Sequence, residues 1–122
     1  MLARAAIRHS REIGDDAASF TRQELDIADR EAVFAAVGRE RPDAIINCAA
    51  YTNVDGAETA AEQAFAANAV GVENLALAAK ANDCRFVTVS TDFVFDGAKT
   101  DFYTQRDTPN PLGVYAKSKL AG

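Results

Sequence analysis

Residues 43–48 read DAIINC, a short apolar run that does not alternate with polar side chains. An unbroken run of this length marks a strand covered on both faces, as in the parallel sheets of α/β proteins. Working outward, residues 56–82 have helical periodicity, with Leu75, Ala78 and Ala79 on one stripe. Residues 85–90 (RFVTVS) follow as a second strand rich in β-branched side chains. On the other side, Asp29 is placed to cap a helix through Val37, with Val33, Phe34 and Val37 on one face and Gly38 and Pro42 as stops. Further upstream, residues 17–21 (AASFT) and 24–27 (ELDI) are expected as two short strands, and residues 2–11 as a helix ending near Gly14. Residues 96–113 hold two prolines and two glycines among polar side chains and read as loop, before a last helix starting near Leu112. Strands alternating with helices predict an α/β fold built on a parallel sheet.

Bulk properties narrow the function. The 122 residues, 48% hydrophobic and 25% charged, suit one domain with one core. A net charge of −5 with acidic and basic residues interleaved leaves no basic stripe, so no nucleic-acid partner is expected. No apolar stretch approaches the roughly 20 residues that span a bilayer, and residues 1–10 (MLARAAIRHS) lack a signal peptide's apolar core. The expectation is therefore a cytoplasmic protein without a membrane partner. Cys48 and Cys84 lack metal-ligand spacing and read as free thiols, and His9 in RHSRE reads as a solvated helix end, so no metal site is expected.

Three segments could carry chemistry. In residues 114–120 (VYAKSKL), Tyr115 and Lys119 are one helical turn apart and share a face, whereas Lys117 points elsewhere. An ammonium beside a phenol favours the phenolate and suits the tyrosine to proton exchange near neutral pH. Residues 89–97 (VSTDFVFDG) put hydroxyls at the carboxyl edge of a parallel strand, where ligands bind in open α/β sheets, though AspGly is also an ordinary turn signal. In residues 46–58 (INCAAYTNVDGAE), Ala49 and Ala50 either admit a flat ligand, with Tyr51 as a wall, or merely allow tight strand-to-helix packing.

These segments together resemble the extended short-chain dehydrogenase/reductase family and, within it, the dTDP-4-dehydrorhamnose reductases. The resemblance runs from about Glu24 to Gly122 through ELDIAD, RPDAIINCAAYTNVDGAE, NAVGVENLA, VSTDFVFDG and PNPLGVYAKSKLAG, in that order. It implies a nucleotide-sugar substrate and reduction of dTDP-4-dehydro-L-rhamnose to dTDP-L-rhamnose for cell-surface polysaccharide. It implies Tyr115 as the proton donor to the sugar's C4 oxygen, Lys119 as its activator and holder of the nicotinamide ribose, and Thr91 as a hydrogen-bond partner of the same oxygen. Asp92 would lie beside the sugar. Asp26 and Ile27 match the pair that meets the adenine, and Ala49, Ala50 and Tyr51 the strand end that passes the cofactor. Asn68 matches a flanking asparagine whose role is structural or functional with equal weight.

Two details refine the subgroup. Related dehydratases follow SerThrAsp with a glutamate, an acid needed to expel water, and here that position is Phe93. Aligned with relatives, Thr21 and Arg22 stand where NAD-selective members carry a carboxylate, which favours NADPH with NADH as the alternative, Arg22 meeting the 2′-phosphate. The resemblance, as distinct from the residues themselves, also admits a homodimer and Mg2+, since metal aids dimerisation in some members of the family.

The family's opening strand and glycine-rich pyrophosphate turn are not found: the seven glycines, at 14, 38, 56, 71, 97, 113 and 122, form no cluster. The expected architecture is thus a partial Rossmann-type doubly wound parallel sheet over residues 1–122, lacking its first strand and its substrate domain. Such a chain is expected to be a fragment or a wrongly started reading frame, inactive or nearly so alone. The missing strand would be the central one, and its loss exposes sheet edges to aggregation or to pairing with another chain. Rival readings are another nucleotide-sugar reductase or epimerase, a non-catalytic subunit resembling the regulatory subunit of methionine adenosyltransferase, and a gene remnant.

Overall fold

The computed structural model describes residues 2–122. Helix α1 spans Leu2–Ile13 and ends in a Schellman motif, with Gly14 at φ +86°, Gly14 N donating to Arg11 O and Asp15 N to Ser10 O. Helix α2 covers Arg30–Glu40 and is capped by Asp29, whose carboxylate accepts from Ala32 N at 3.0 Å. It passes through Gly38 and stops at Arg41, which takes a left-handed conformation (φ +47°) ahead of Pro42. The proline, which disfavours helical geometry in the residue before it, is the stop that counts.

Strand β1 (Ala44–Asn47) pairs in parallel with β2 (Arg85–Thr88), Ala44 opposite Arg85 and Asn47 opposite Thr88. The crossover between them is helical but interrupted. A single turn, α3 (Val54–Ala57), is capped by Asn53, and α4 (Ala61–Phe65) runs into a π-helical turn (Ala66–Val70) and then α5 (Gly71–Ala81). After β2 come a 3₁₀ turn (Asp92–Val94), a long loop, and helix α6 (Val114–Ala121), which starts two residues later than expected from Leu112.

Three expectations are corrected. Residues 17–21 form no strand, and neither do residues 24–27. The second lies between two turns: Glu24 N and Leu25 N both donate to Thr21 O, and Asp29 N donates to Asp26 O. Backbone groups spent on turns cannot join a ladder. The sheet among the described residues is accordingly two-stranded. Nor are both faces of β1 covered. Ile45 and Phe86 pack with Leu25, Ile27 and Phe34 against a core of Val33, Val37, Leu75 and Ala78, contributed by α2 and α5. On the opposite face Ile46 is 56% exposed and Val87 53%. Close approach sets the helix–turn packing as well, since a Cβ at Gly71 would lie 2.5 Å from Ile27 Cγ1. No helix among the described residues is long and apolar enough to cross a membrane.

Candidate active site

The carboxyl ends of the two strands are tied together by Asn47, which is buried. Its Nδ2 donates to Thr88 Oγ1 at 3.1 Å and its Oδ1 accepts from Ala49 N at 2.9 Å. This directs the chain away from β1 through Ala49 and Ala50 to Tyr51, whose hydroxyl lies over Gly56 in α3.

Asn68, in the π-helical turn, fixes the next layer. It is 1% exposed; its Oδ1 accepts from Tyr51 N (2.8 Å), and its Nδ2 donates to Tyr51 O (3.0 Å) and to Ser118 Oγ (2.9 Å). Ser118 in turn donates to Tyr115 O at 2.7 Å. A π turn inserts a residue into the helix, a geometry that recurs at functional sites. Here it aims one buried amide at both the post-β1 segment and α6.

Helix α6 carries Tyr115 and Lys119, both half-buried, while Lys117 is exposed. Lys119 Nζ donates to Val89 O at 2.6 Å, immediately past β2 and two residues before Thr91. Burial lowers the lysine's pKa from 10.5. The Tyr115 ring meets Phe93 edge to face, centroids 5.9 Å apart. Thr91 begins the 3₁₀ turn, its Oγ1 accepting from Phe93 N at 3.2 Å and donating to Asp92 Oδ1 at 3.2 Å. Tyr115, Lys119 and the segment from Thr91 to Phe93 therefore converge at one end of the sheet. At the N-terminus of α6, Glu58 Oε1 accepts from Val114 N at 2.8 Å.

The other residues singled out in the sequence lie elsewhere. Arg22 is in an exposed turn, and the Asp26 carboxylate accepts from Ala28 N at 3.0 Å within its own turn. Ile27 packs into the core, with its carbonyl held by Asn74 Nδ2 at 3.0 Å. An open depression of about 620 Å³ lies on α1 among Arg4, Arg8 and Ser19, lined by none of these groups. Sequence reasoning passed over Asn47, Glu58 and Ser118. All three sit inside motifs singled out for other residues, Asn47 and Glu58 in INCAAYTNVDGAE and Ser118 in VYAKSKL, and nothing in their local spacing signals the tertiary partner.

A parallel βαβ unit with a Tyr-x-x-x-Lys helix and a hydroxyl-bearing turn at its strand ends defines a Rossmann-type α/β protein. The chain belongs to the family described as the RmlD substrate binding domain, whose model matches residues 1–122. It is 46% identical over 99 residues to the dTDP-4-dehydrorhamnose reductase of Aggregatibacter actinomycetemcomitans, covering 81% of this chain and 34% of that protein. Its fold superposes with a TM-score of 0.96 on a dTDP-4-dehydrorhamnose reductase from Clostridium acetobutylicum, at 36% identity over 98% of this chain and 43% of the other. With the enzyme of the same name from Bacillus anthracis, solved in complex with NADP, the TM-score is 0.85 at 38% identity, over 88% of this chain and 38% of that one. The chain spans between a third and a half of the length of these relatives.

Proposed function

We propose that residues 2–122 carry the proton-transfer machinery of an NADPH-dependent reductase that converts dTDP-4-dehydro-L-rhamnose to dTDP-L-rhamnose in the cytoplasm. The observation that carries this reading is the anchoring of Lys119 to Val89 O, which brings α6, with Tyr115, against the Thr91 turn. In this reading the phenol of Tyr115 gives its proton to the C4 oxygen of the sugar, and Thr91 hydrogen-bonds the same oxygen. Lys119 holds the nicotinamide ribose and favours the phenolate left behind. A nicotinamide held there would supply a hydride to C4, so that the ketone would gain one hydride and, from Tyr115, one proton and become a secondary alcohol. Asp92 lies beside the sugar, Ala49, Ala50 and Tyr51 line the cofactor's path, and Asp26, Ile27 and Arg22 serve the adenosine end.

The donor set suits the ribose and nicotinamide end of a dinucleotide, an ammonium and a phenol at strand ends. It does not extend to the pyrophosphate, because no glycine cluster offers bare backbone N–H groups. We assign residues 2–122 to the dinucleotide-binding part of the enzyme and the sugar-binding domain to other residues. Phe93 against Tyr115 separates reduction from dehydration, since an apolar ring cannot protonate a leaving hydroxyl.

The test is NADPH oxidation by the complete gene product in the presence of the 4-dehydro sugar. Tyr115→Phe is expected to lower kcat by about 100-fold or more while NADPH affinity changes little. Lys119→Met is expected to weaken both. An unchanged kcat in Tyr115→Phe rejects the assignment.

A further inference from the structure

Helix α6 has no cap of its own. Gly113, the residue before it, has no side chain, and no neighbour within the helix satisfies the first N–H groups. The acceptor comes from 56 residues upstream: Glu58 Oε1 takes the hydrogen bond of Val114 N at 2.8 Å. The residue held is the one directly before Tyr115. Lys119, four residues on, is independently held by Val89 O, and Ser118 by Asn68. The lysine end of α6 thus has two anchors outside the helix, and the tyrosine end has Glu58 and the edge of Phe93.

We propose that Glu58 is a positioning residue that sets where the Tyr115 phenol lies by anchoring the first turn of α6 from the α3–α4 connection. This rests on the reading of Tyr115 as the proton donor. The break in the crossover helix after α3 acquires a purpose on this view. Thr59 donates its hydroxyl to Gly56 O at 3.2 Å, Ala60 leaves helical geometry at φ −124° and ψ 44°, and the turn so formed presents Glu58 toward α6.

Gly113 supplies a second, independent handle. Its backbone is extended (φ −91°, ψ 169°), so alanine is conformationally acceptable, yet a Cβ there would lie 3.0 Å from the same oxygen, Glu58 Oε1, that holds Val114 N. Gly113→Ala is therefore expected to push the carboxylate back by a few tenths of an ångström and weaken its hold on Val114 N without touching Tyr115.

Four forms of the complete gene product decide the matter: wild type, Glu58→Ala, Gly113→Ala and the double variant. With NADPH and the 4-dehydro sugar, each single variant is expected to lose about tenfold or more in kcat, with KM for NADPH within about twofold, as misplacement of a reacting group by a fraction of an ångström requires. The double variant is expected to be no worse than Glu58→Ala, because the Cβ then has nothing to displace. Glu58→Gln, whose amide oxygen can accept the same hydrogen bond, restores most of the rate. Full activity in Glu58→Ala, or independent multiplicative losses in the double variant, would overturn the proposal. Should the wild type show no turnover, the functional reading fails on its own. The same four proteins then test the anchor through thermal unfolding, where additive midpoints reject it and non-additive midpoints support the contact while stripping it of a catalytic purpose.

Discussion

Asn68 shows how much one amide can organise. Three hydrogen bonds from a side chain that is 1% exposed join the segment after β1 to the helix bearing Tyr115. Replacing it by alanine leaves Tyr51 N, Tyr51 O and the Ser118 hydroxyl without that partner in a site that admits little water. A loss of about 2–3 kcal/mol is expected for Asn68→Ala, read as a fall in the urea midpoint at unchanged slope. Asn68→Asp keeps the acceptor for Tyr51 N but loses both donors and faces the Tyr51 carbonyl with negative charge, so it is expected to be no better. A midpoint unchanged in both variants would mean that the amide is dispensable. At this scale helical spacing alone places Tyr115 and Lys119 on one face of α6, while the roles proposed for them come from the resemblance. The sequence left Asn68 undecided, because a π turn has no composition of its own. It could not reveal the partner of Lys119, because the acceptor is a backbone carbonyl, which every residue carries.

The loop from Asp96 to Asn110 behaves as an element although it has no regular structure. Asp96 accepts from Ala98 N (2.9 Å), Tyr103 Oη (2.8 Å) and Asn110 Nδ2 (2.8 Å), and Tyr103 stacks on Phe95 with centroids 4.3 Å apart. Asn110 N returns to Val94 O at 2.9 Å, closing the loop onto the 3₁₀ turn. The Ala98 amide first, then Asn110 and Tyr103, pull the Asp96 carboxyl from 3.8 down to about 2. A carboxyl depressed in the folded state contributes stability that is present above its unfolded value and fades as pH falls through the folded one. The loop is therefore expected to loosen between about pH 4 and pH 2. Amide resonances of Ala98 and Asn110 would report it, and Asp96→Asn should show the loosened spectrum already at neutral pH, since an amide cannot accept from all three donors. Resonances that ignore both acid and the substitution would count against Asp96 as the hub.

Elements were otherwise legible in proportion to how local their causes are. β1 and β2 came through because their apolar runs are short and bounded, and α2 because Asp29 caps it. The strands expected at residues 17–21 and 24–27 did not form, because a strand exists only by pairing and β1 bonds no other strand than β2 among the described residues. The crossover read as one helix because no glycine or proline stands at its interruption, Glu58–Ala60, where Thr59 bonds back to Gly56 O and Ala60 leaves helical geometry.

The whole molecule is open for its mass. A compact monomer of 13.0 kDa exposes about 6,300 Å² by the usual scaling, whereas this chain exposes 8671 Å². The excess has identifiable sources: α1 buries none of its residues, and the sheet is covered on one face only. Ile46 and Val87 are neighbours in register on the bare face, beside the unpaired edge of β1, the arrangement that invites edge pairing between chains. The 122-residue chain is accordingly expected to self-associate as its concentration rises, seen as a concentration-dependent sedimentation coefficient. Threonine keeps the β-branched shape that suits a strand while removing apolar surface. In the doubly substituted chain, Ile46→Thr with Val87→Thr, sedimentation should stay close to that of a single chain. The thermal midpoint should hardly move, since neither side chain belongs to the core of Val33, Val37, Leu75 and Ala78. Association that survives the double substitution would place the sticky surface on α1 instead, where Leu2 and Ile13 are 54% and 61% exposed. A steep fall in the midpoint would show that the bare face carries folding energy in the isolated chain.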